Sequence, residues 1–346
     1  MTSRPLNEDH LTRLPGYDPQ APVLELDALS VEFPTPQGPA CAVDAVSYSV
    51  RAGRTLAVIG ESGSGKSMTV RAVMGILPRT ARITGGTARL HGVDLLALGT
   101  EQRRRLRGPR IAMVFQDSLS ALNPALPVGT QIAEMFRAHQ GLGRREAHQR
   151  AVEILDKVRI PAADRRAGDY PHQFSGGMRQ RVVIAMALAL DPDVLIADEP
   201  TTALDVTVQA QIMDLLAEMQ RERRMSLILI SHDLGVVAGV ADEVAVMYAG
   251  RIAETAPAAE LYAIPRHPYT RALLAAIPRP GTRGRPLTVL HGAPPDLSKL
   301  PQGCPLRPRC PDAGDVCLST PPLYEIGAGR RCACHTYREE ATDADI

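Results

Sequence analysis

The sequence predicts an α/β fold: a parallel-rich sheet covered by helices, a helical subdomain inserted into that core, and a small Cys-rich C-terminal extension. Three observations carry this expectation. Apolar runs of strand length alternate with helical patterns: "TLAVIG" at 55–60, "RIAMVFQ" at 110–116, "DVLIADE" at 193–199, "SLILISHD" at 226–233 and "EVAVMYAG" at 243–250. Runs that are apolar throughout belong to strands buried on both faces, the mark of a parallel sheet between helical layers. Between Gln116 and Ser175 such runs stop, and patterns such as "QIAEMFRAHQ" and "EAHQRAVEILDKVRI" take over. From about residue 263 the texture becomes Pro- and Cys-rich.

Taken in order, residues 1–22 lack apolar periodicity and read as a flexible tail. Residues 23–262 form the α/β core, with the helical subdomain at about 117–181, and 263–346 form the extension. The longest clean apolar run, "VVIAMALAL" at 182–190, is half of the 18 residues or so that a membrane span needs and reads as a buried helix. The first 20 residues contain no apolar signal-peptide core, so a cytoplasmic location is expected. Formal charge is +1, from 39 Lys and Arg against 38 Asp and Glu, which supplies no argument for a nucleic-acid partner. Clusters such as Arg103, Arg104 and Arg105 read as a solvated helix face.

The segment "GESGSGKS" at 60–67 follows a strand and precedes the helical pattern "MTVRAVMGIL". This matches G-x-x-x-x-G-K-[ST] in the strand–loop–helix context that defines a phosphate-binding P-loop. Gly60, Glu61, Ser62, Gly63, Ser64, Gly65, Lys66, Ser67 and Met68 are therefore the expected nucleotide-binding set. Gly63 and Gly65 let backbone N–H groups turn toward phosphate oxygens at the positive end of the next helix. Lys66 supplies a point charge for the β- and γ-phosphates, and the Ser67 hydroxyl suits Mg²⁺. In "VLIADEP" at 194–200, Asp198 and Glu199 end a buried strand, where open α/β sheets place their sites. Asp198 suits the Mg²⁺ shell, and Glu199 suits polarising or deprotonating an attacking water. His232 and Gln116 end other apolar runs and are uninformative alone.

Their order is not. The segment "FSGGMRQRVVIAMALALDPDVLIADEPTTALD" at 174–205 resembles the signature of ABC (ATP-binding-cassette) ATPases, followed by that family's strand carboxylates and D-loop. The succession P-loop, Gln116, "SGG", "ADE", "ALD", "SHD" covers roughly residues 23–255. The resemblance implies that Ser175, Gly176 and Gly177 contact the γ-phosphate bound by an opposite subunit. It implies that Gln116 touches Mg²⁺ and the attacking water, that Asp205 links two active sites, that His232 contacts the γ-phosphate, and that Glu199 is the catalytic carboxylate. Phe33 stands where the family usually has an adenine-stacking aromatic, with a core Phe as the other reading. Phe174 and Met178 depart from the commonest signature, which has Leu and Gln there, and neither change removes a phosphate ligand.

A finer resemblance, to the oligopeptide/dipeptide/nickel uptake branch, rests on "FQDSLSALNPALPVG" at 115–129, "YPHQFSGGMRQRV" at 170–182 and "RHPYTRALLAAIP" at 266–278. It implies an ATP- and Mg²⁺-dependent ATPase subunit of an importer for peptides or related solutes, peripheral on the cytoplasmic side of the inner membrane. Implied partners are two integral-membrane permeases, a second ABC ATPase subunit and an extracytoplasmic solute-binding protein. The alternative, a non-transport ABC ATPase remodelling nucleic acid or ribosomes, usually carries two cassettes, a long coiled-coil insertion or zinc modules. Residues 1–346 contain one cassette and a compact insertion.

Five of the six cysteines follow residue 303, a clustering that points to metal or cluster ligation rather than disulfides in a reducing compartment. Cys304, Cys310, Cys317 and Cys334 resemble four cysteines with which some peptide-importer ATPases hold a 4Fe–4S cluster. Cys332 leaves the fourth ligand open, and zinc or simple reduced thiols remain the other readings. Cys41 reads as an isolated structural thiol.

Overall fold

A computed structural model of the chain describes residues 8–36, 38–202, 204–277, 290 and 292–338. In chain order the elements begin with helix α1 (Glu8–Thr12), strands β1 (Leu24–Thr35), β2 (Gly38–Val50) and β3 (Thr55–Ile59), and helix α2 (Lys66–Met74). Strands β4 (Arg82–Leu90) and β5 (Val93–Asp94), helix α3 (Thr100–Leu106) and strand β6 (Ile111–Val114) come next. Helices α4 (Ser118–Ala121), α5 (Val128–Gln140), α6 (Arg144–Lys157), α7 (Ala163–Arg166) and α8 (Gly176–Leu188) follow. Then come β7 (Val194–Asp198), α9 (Val206–Arg223), β8 (Ser226–Ser231), α10 (Leu234–Val237), β9 (Glu243–Tyr248) and β10 (Arg251–Pro257). Helices α11 (Ala258–Ala263) and α12 (Pro268–Ala275) and the short strands β11 (Tyr324–Glu325) and β12 (Arg331–Cys332) complete the chain. The elements fall into two compact units, Met1–Leu24, Val50–Arg54 and Arg89–Ile228 in one, and Glu25–Ser49, Thr55–Ala88 and Leu229–Ile346 in the other.

In the first unit β6 and β7 pair in parallel, Ile111 opposite Val194 through Val114 opposite Ala197, and every residue of both strands is buried. The apolar runs "IAMV" and "VLIAD" therefore behave as doubly covered strands must. Among the described residues no strand lies between Gln116 and Ser175, as the helical patterns there predict. Helix α5 buries Val128, Ile132 and Phe136, and α6 buries Ala147, Ala151, Ile154 and Leu155, spacings that place each set on one helical face. These faces pack on each other and on α8. Residues 8–22 differ from the expected flexible tail. Helix α1 places Leu11 at 0% and Leu14 at 8% exposure, and the Asp18 N–H donates to the His91 carbonyl at 2.8 Å. Two leucines in a polar sequence carry no periodic signal, yet their burial contributes about 1.5–3 kcal/mol each toward ordering the segment.

In the second unit the strand order is β11-β12-β10-β9-β3. Strands β3 and β9 are parallel, whereas β9–β10, β10–β12 and β12–β11 are antiparallel. The sheet is thus mixed, and the Cys-rich extension is part of it: Glu254 pairs with Cys332 and Tyr324 with Cys332. Two-residue strands have no readable alternation, so this edge was not predictable from pattern. A second set of strands, β2-β1-β4, was likewise not expected. No helix among the described residues is long and apolar enough to cross a membrane.

Candidate functional site

The phosphate loop is built in the second unit. Strand β3, five residues all buried, ends at Ile59, and the chain turns through Gly60 into α2, which begins at Lys66. Gly60 has φ +155°, and a Cβ there would lie 2.2 Å from the Met247 carbonyl oxygen. Gly65, at φ +103°, would place a Cβ 2.4 Å from the Ala42 carbonyl oxygen. Both positions admit only glycine. Gly63, at φ +79°, faces open space, as a residue whose backbone is approached by a ligand should. Lys66 is 4% exposed, and its Nζ donates to the carbonyls of Gly60 at 2.8 Å and Glu61 at 2.9 Å. The Ser64 Oγ is buried with no hydrogen-bond partner among the described residues. A buried cation, an unpaired hydroxyl and a helix N-terminus converging on one loop fit a phosphate chain.

His232 is exposed in the same unit, between β8 and α10. Asp233 caps α10, accepting from Gly235 N–H at 2.8 Å and Val236 N–H at 3.4 Å, which sets the turn that presents His232. Phe33 is half-buried on β1, a position that neither reading of it requires.

The acidic residues belong to the first unit. Asp198, 1% exposed, ends β7, and Glu199 follows with φ +47°, a left-handed conformation that non-glycine residues rarely adopt. The Glu199 Oε2 accepts from Gln116 Nε2 at 3.0 Å and from Thr202 Oγ1 at 2.9 Å. The structure therefore brings together Gln116 and Glu199 and adds Thr202, which no pattern singled out. Asp198 and Gln116 in this unit carry carboxylate and amide oxygens, hard donors of the kind Mg²⁺ takes, and Ser67 in the second unit carries a hydroxyl.

Ser175 and Asp205 cap two neighbouring helices in this unit. Ser175 Oγ accepts from the Met178 N–H at 3.4 Å at the start of α8, and Asp205 accepts from the Val208 N–H at 3.0 Å at the start of α9. A Cβ on Gly177 would lie 2.6 Å from Val208 Cγ1, so the glycine is what lets the two helix starts approach. Ser175, Gly176 and Asp205 remain exposed.

In the extension, Cys304, Cys310, Cys317 and Cys334 line one cavity of about 90 Å³, together with His267 and Asp312. Cys332 lies outside that lining, buried on β12. Burial raises the thiol pKa of Cys304 and Cys310, and that of Cys332 further, with the Glu254 carboxylate adding to the rise. All six cysteines are unbridged. Among the described residues no group of three or more Cys, His, Asp or Glu side chains is gathered as a metal-ligand set. The four thiols therefore share a cavity without forming a closed site. Sequence reasoning missed three residues at the phosphate loop: Tyr269 accepts the Glu61 N–H, Arg309 pairs with the Glu61 carboxylate, and Tyr248 lies beneath Arg309. Tyr269 sits in "RHPYTRALLAAIP", a segment that was informative only about lineage.

Comparison with known proteins agrees with this geometry. Residues 43–202 match the ABC transporter family model, and residues 253–317 match the oligopeptide/dipeptide transporter C-terminal region. The chain is 49% identical over 318 residues to the oligopeptide transport ATP-binding protein OppD of Salmonella typhimurium, covering 92% of this chain and 95% of that protein. It is likewise 49% identical over 318 residues to OppD of Escherichia coli, covering 92% and 94%. The dimeric post-hydrolysis structure of the ATP-binding cassette MJ0796, bound to ADP and Pi, superposes with a TM-score of 0.62 at 25% identity over 68% of this chain and 98% of that one. A P-loop built on glycines that nothing else can replace, a glutamate at a strand end held by a glutamine, and near full-length similarity lead to one assignment: the chain belongs to the ABC transporter family of ATPases, in the branch that carries the oligopeptide/dipeptide transporter C-terminal region.

Proposed function

We propose that this chain is the ATP-hydrolysing subunit of an importer that drives uptake of peptides or related solutes across a cytoplasmic membrane. One observation carries the reading: similarity to oligopeptide transport ATP-binding proteins runs through residues 253–317, a region that lies outside the ATP-binding motifs of the cassette. The chain then works peripherally on the cytoplasmic side of the inner membrane, with two permease subunits, a second ABC ATPase subunit and an extracytoplasmic solute-binding protein. Residues 23–262 act as the cassette, with 117–181 its helical subdomain, and 263–346 as the extension.

In this mechanism the glycine-lined loop 60–68 receives the phosphates, and Lys66 turns its charge from the Gly60 and Glu61 carbonyls toward them. Ser67, Asp198 and Gln116 would hold Mg²⁺, which would supply positive charge to the phosphate oxygens. Glu199 takes the proton of the attacking water, its carboxylate oriented by Gln116 and Thr202. His232 contacts the γ-phosphate. Ser175, Gly176, Gly177 and Asp205 serve the nucleotide of the opposite subunit, which makes a dimer the active unit. Phe33 stacks on adenine.

Cys304, Cys310, Cys317 and Cys334 would hold a 4Fe–4S cluster in this proposal: four thiols are the donor set such a cluster takes, and they line one cavity, although they are not drawn together there as a metal-ligand set. Its contribution is folding free energy for a segment poor in apolar periodicity. Placing Cys334 at the cavity and Cys332 on β12 favours Cys334 as the fourth ligand.

The deciding experiment is affinity purification of the tagged chain from membranes in mild detergent. Recovery of two integral-membrane permeases, with peptide-stimulated ATPase activity after reconstitution with the binding protein, supports the proposal. Recovery with ribosomes or nucleic acid and without permeases refutes it.

A further inference from the structure

Glu61, the second residue of the phosphate loop, is gripped from outside the loop at both its side chain and its backbone. Arg309 Nη1 donates to Glu61 Oε2 at 2.8 Å and Nη2 to Oε1 at 3.0 Å, a two-pronged ion pair. The Glu61 N–H donates to the Tyr269 hydroxyl at 2.8 Å. The Arg309 side chain is only 7% exposed; it lies 5.9 Å over the Tyr248 ring and donates to the Tyr248 hydroxyl at 3.4 Å. Tyr269 is fully buried, its ring 4.6 Å from that of Tyr248. Arg309 and Tyr269 both come from beyond residue 263, and 248 and 208 residues separate them from Glu61.

This arrangement exceeds what a surface ion pair does. A guanidinium fork bound by both prongs sets the orientation of the carboxylate as well as its charge. Packing against Tyr248 covers most of the Arg309 guanidinium and so weakens solvent screening of the pair, although the Glu61 side chain stays 25% exposed. The loop has no slack next to Glu61, because Gly60 already presses against the Met247 carbonyl. The carbonyls of Gly60 and Glu61 also accept from Lys66 Nζ. A displacement of Glu61 is therefore a displacement of the cradle of the phosphate-binding lysine. At its other end Arg309 closes a short helical turn, Arg307–Arg309, whose first N–H donates to the Cys304 carbonyl, while the Cys304 N–H donates to the Cys317 carbonyl.

We infer that Arg309 and Tyr269 are positioning residues of the nucleotide site: by holding Glu61 they set the place of Lys66, so nucleotide affinity depends on the C-terminal extension. The inference rests on reading residues 60–68 as the nucleotide loop, and it gives the extension a role in ATP binding in addition to any role in its own folding.

The test uses the full chain, titrated at equilibrium with a fluorescent ATP analogue, with unfolding midpoints measured in parallel. Failure of the wild-type chain to bind would remove the loop reading itself. Given wild-type binding, Arg309→Gln should weaken affinity about tenfold, the scale of one lost charge-assisted contact. Arg309→Lys, which keeps the charge but not the fork, should restore only part of it, and Tyr269→Phe should weaken binding in the same direction. The double variant Arg309→Gln/Glu61→Gln should be no worse than the more damaged single variant, because both remove one interaction. Affinity within twofold of wild type for Arg309→Gln, or additive losses in the double variant, overturns the inference. So does a lowered unfolding midpoint with unchanged affinity of the folded protein, the result a purely structural contact gives. Should Arg309→Gln not fold, Arg309→Lys and Tyr269→Phe carry the same readout.

Discussion

The Gln116 side-chain amide donates to Glu199 Oε2 at 3.0 Å across 83 residues of sequence. Thr202 donates to the same oxygen at 2.9 Å, and the Glu199 backbone sits at φ +47°. A carboxylate with two donors on one oxygen and an unusual backbone conformation is held in one orientation by its surroundings, an arrangement that concentrates where chemistry is done.

Glu199→Gln is therefore expected to abolish steady-state hydrolysis, with a loss of about 10²–10⁴ in rate, the usual worth of a positioned general base. Nucleotide binding should persist, since Lys66, Ser67 and Asp198 are untouched. Phosphate release by the reconstituted complex is the measurement, and near-normal turnover would remove Glu199 from the catalytic role.

Lys66→Ala should act on binding itself. The ammonium is 4% exposed and already enclosed by two loop carbonyls. Its removal leaves those carbonyls facing the phosphates with no cation between them. A fluorescent-nucleotide titration should show affinity falling by about tenfold or more, the scale of a lost contact to a charged group, and unchanged affinity would contradict the assignment.

Ser175→Ala should impair hydrolysis on the opposite subunit more than ATP binding to its own loop. The hydroxyl caps α8 through a 3.4 Å contact, so the local helix loses only about 0.5–2 kcal/mol. Dimers mixing wild-type and variant chains separate the effects. Full activity of the isolated monomer, independent of concentration, would defeat the two-subunit site.

Glu254→Ala should be among the most destabilising single changes in the second unit. Glu254 is 0% exposed; its two oxygens accept from the N–H groups of Arg266 and His267, each at 2.9 Å, and Arg330 lies 3.5 Å away. Truncation leaves the Arg266 and His267 N–H groups without their acceptor and takes one of two carboxylates from the buried Arg330, which keeps the Ile264 carbonyl at 2.7 Å and Glu260 at 3.6 Å, a loss of about 3–5 kcal/mol. Urea unfolding should show a clear drop in midpoint, and a shift below about 1 kcal/mol would mean that water replaces the carboxylate.

Anaerobic purification should give a brown protein with broad visible absorbance and about four irons per chain. Substituting Cys334 should bleach it, while substituting Cys332 should leave its colour. One tightly held zinc in colourless protein would favour the zinc reading, and protein with neither metal would leave reduced thiols.

The sequence by itself determined what depends on near neighbours in the chain. The β3–loop–α2 unit needs Gly60, Gly65, Lys66 and Ser67 within eight positions, and the doubly buried strands β6, β7 and β8 declare themselves as unbroken apolar runs. Helices α5 and α6 show their buried faces through spacing alone. Tertiary structure decided what depends on chain path. Thr202 reaches Glu199, Arg309 and Tyr269 reach Glu61, and Leu11 finds a core although its surroundings read as a tail. It also turned β11 and β12 into sheet edge, sending Cys334 to the cavity and Cys332 into the core. A propensity or a periodicity is written in a window of a few residues, whereas a buried ion pair between positions 61 and 309 depends on closing a loop of about 250 residues, for which no local pattern exists.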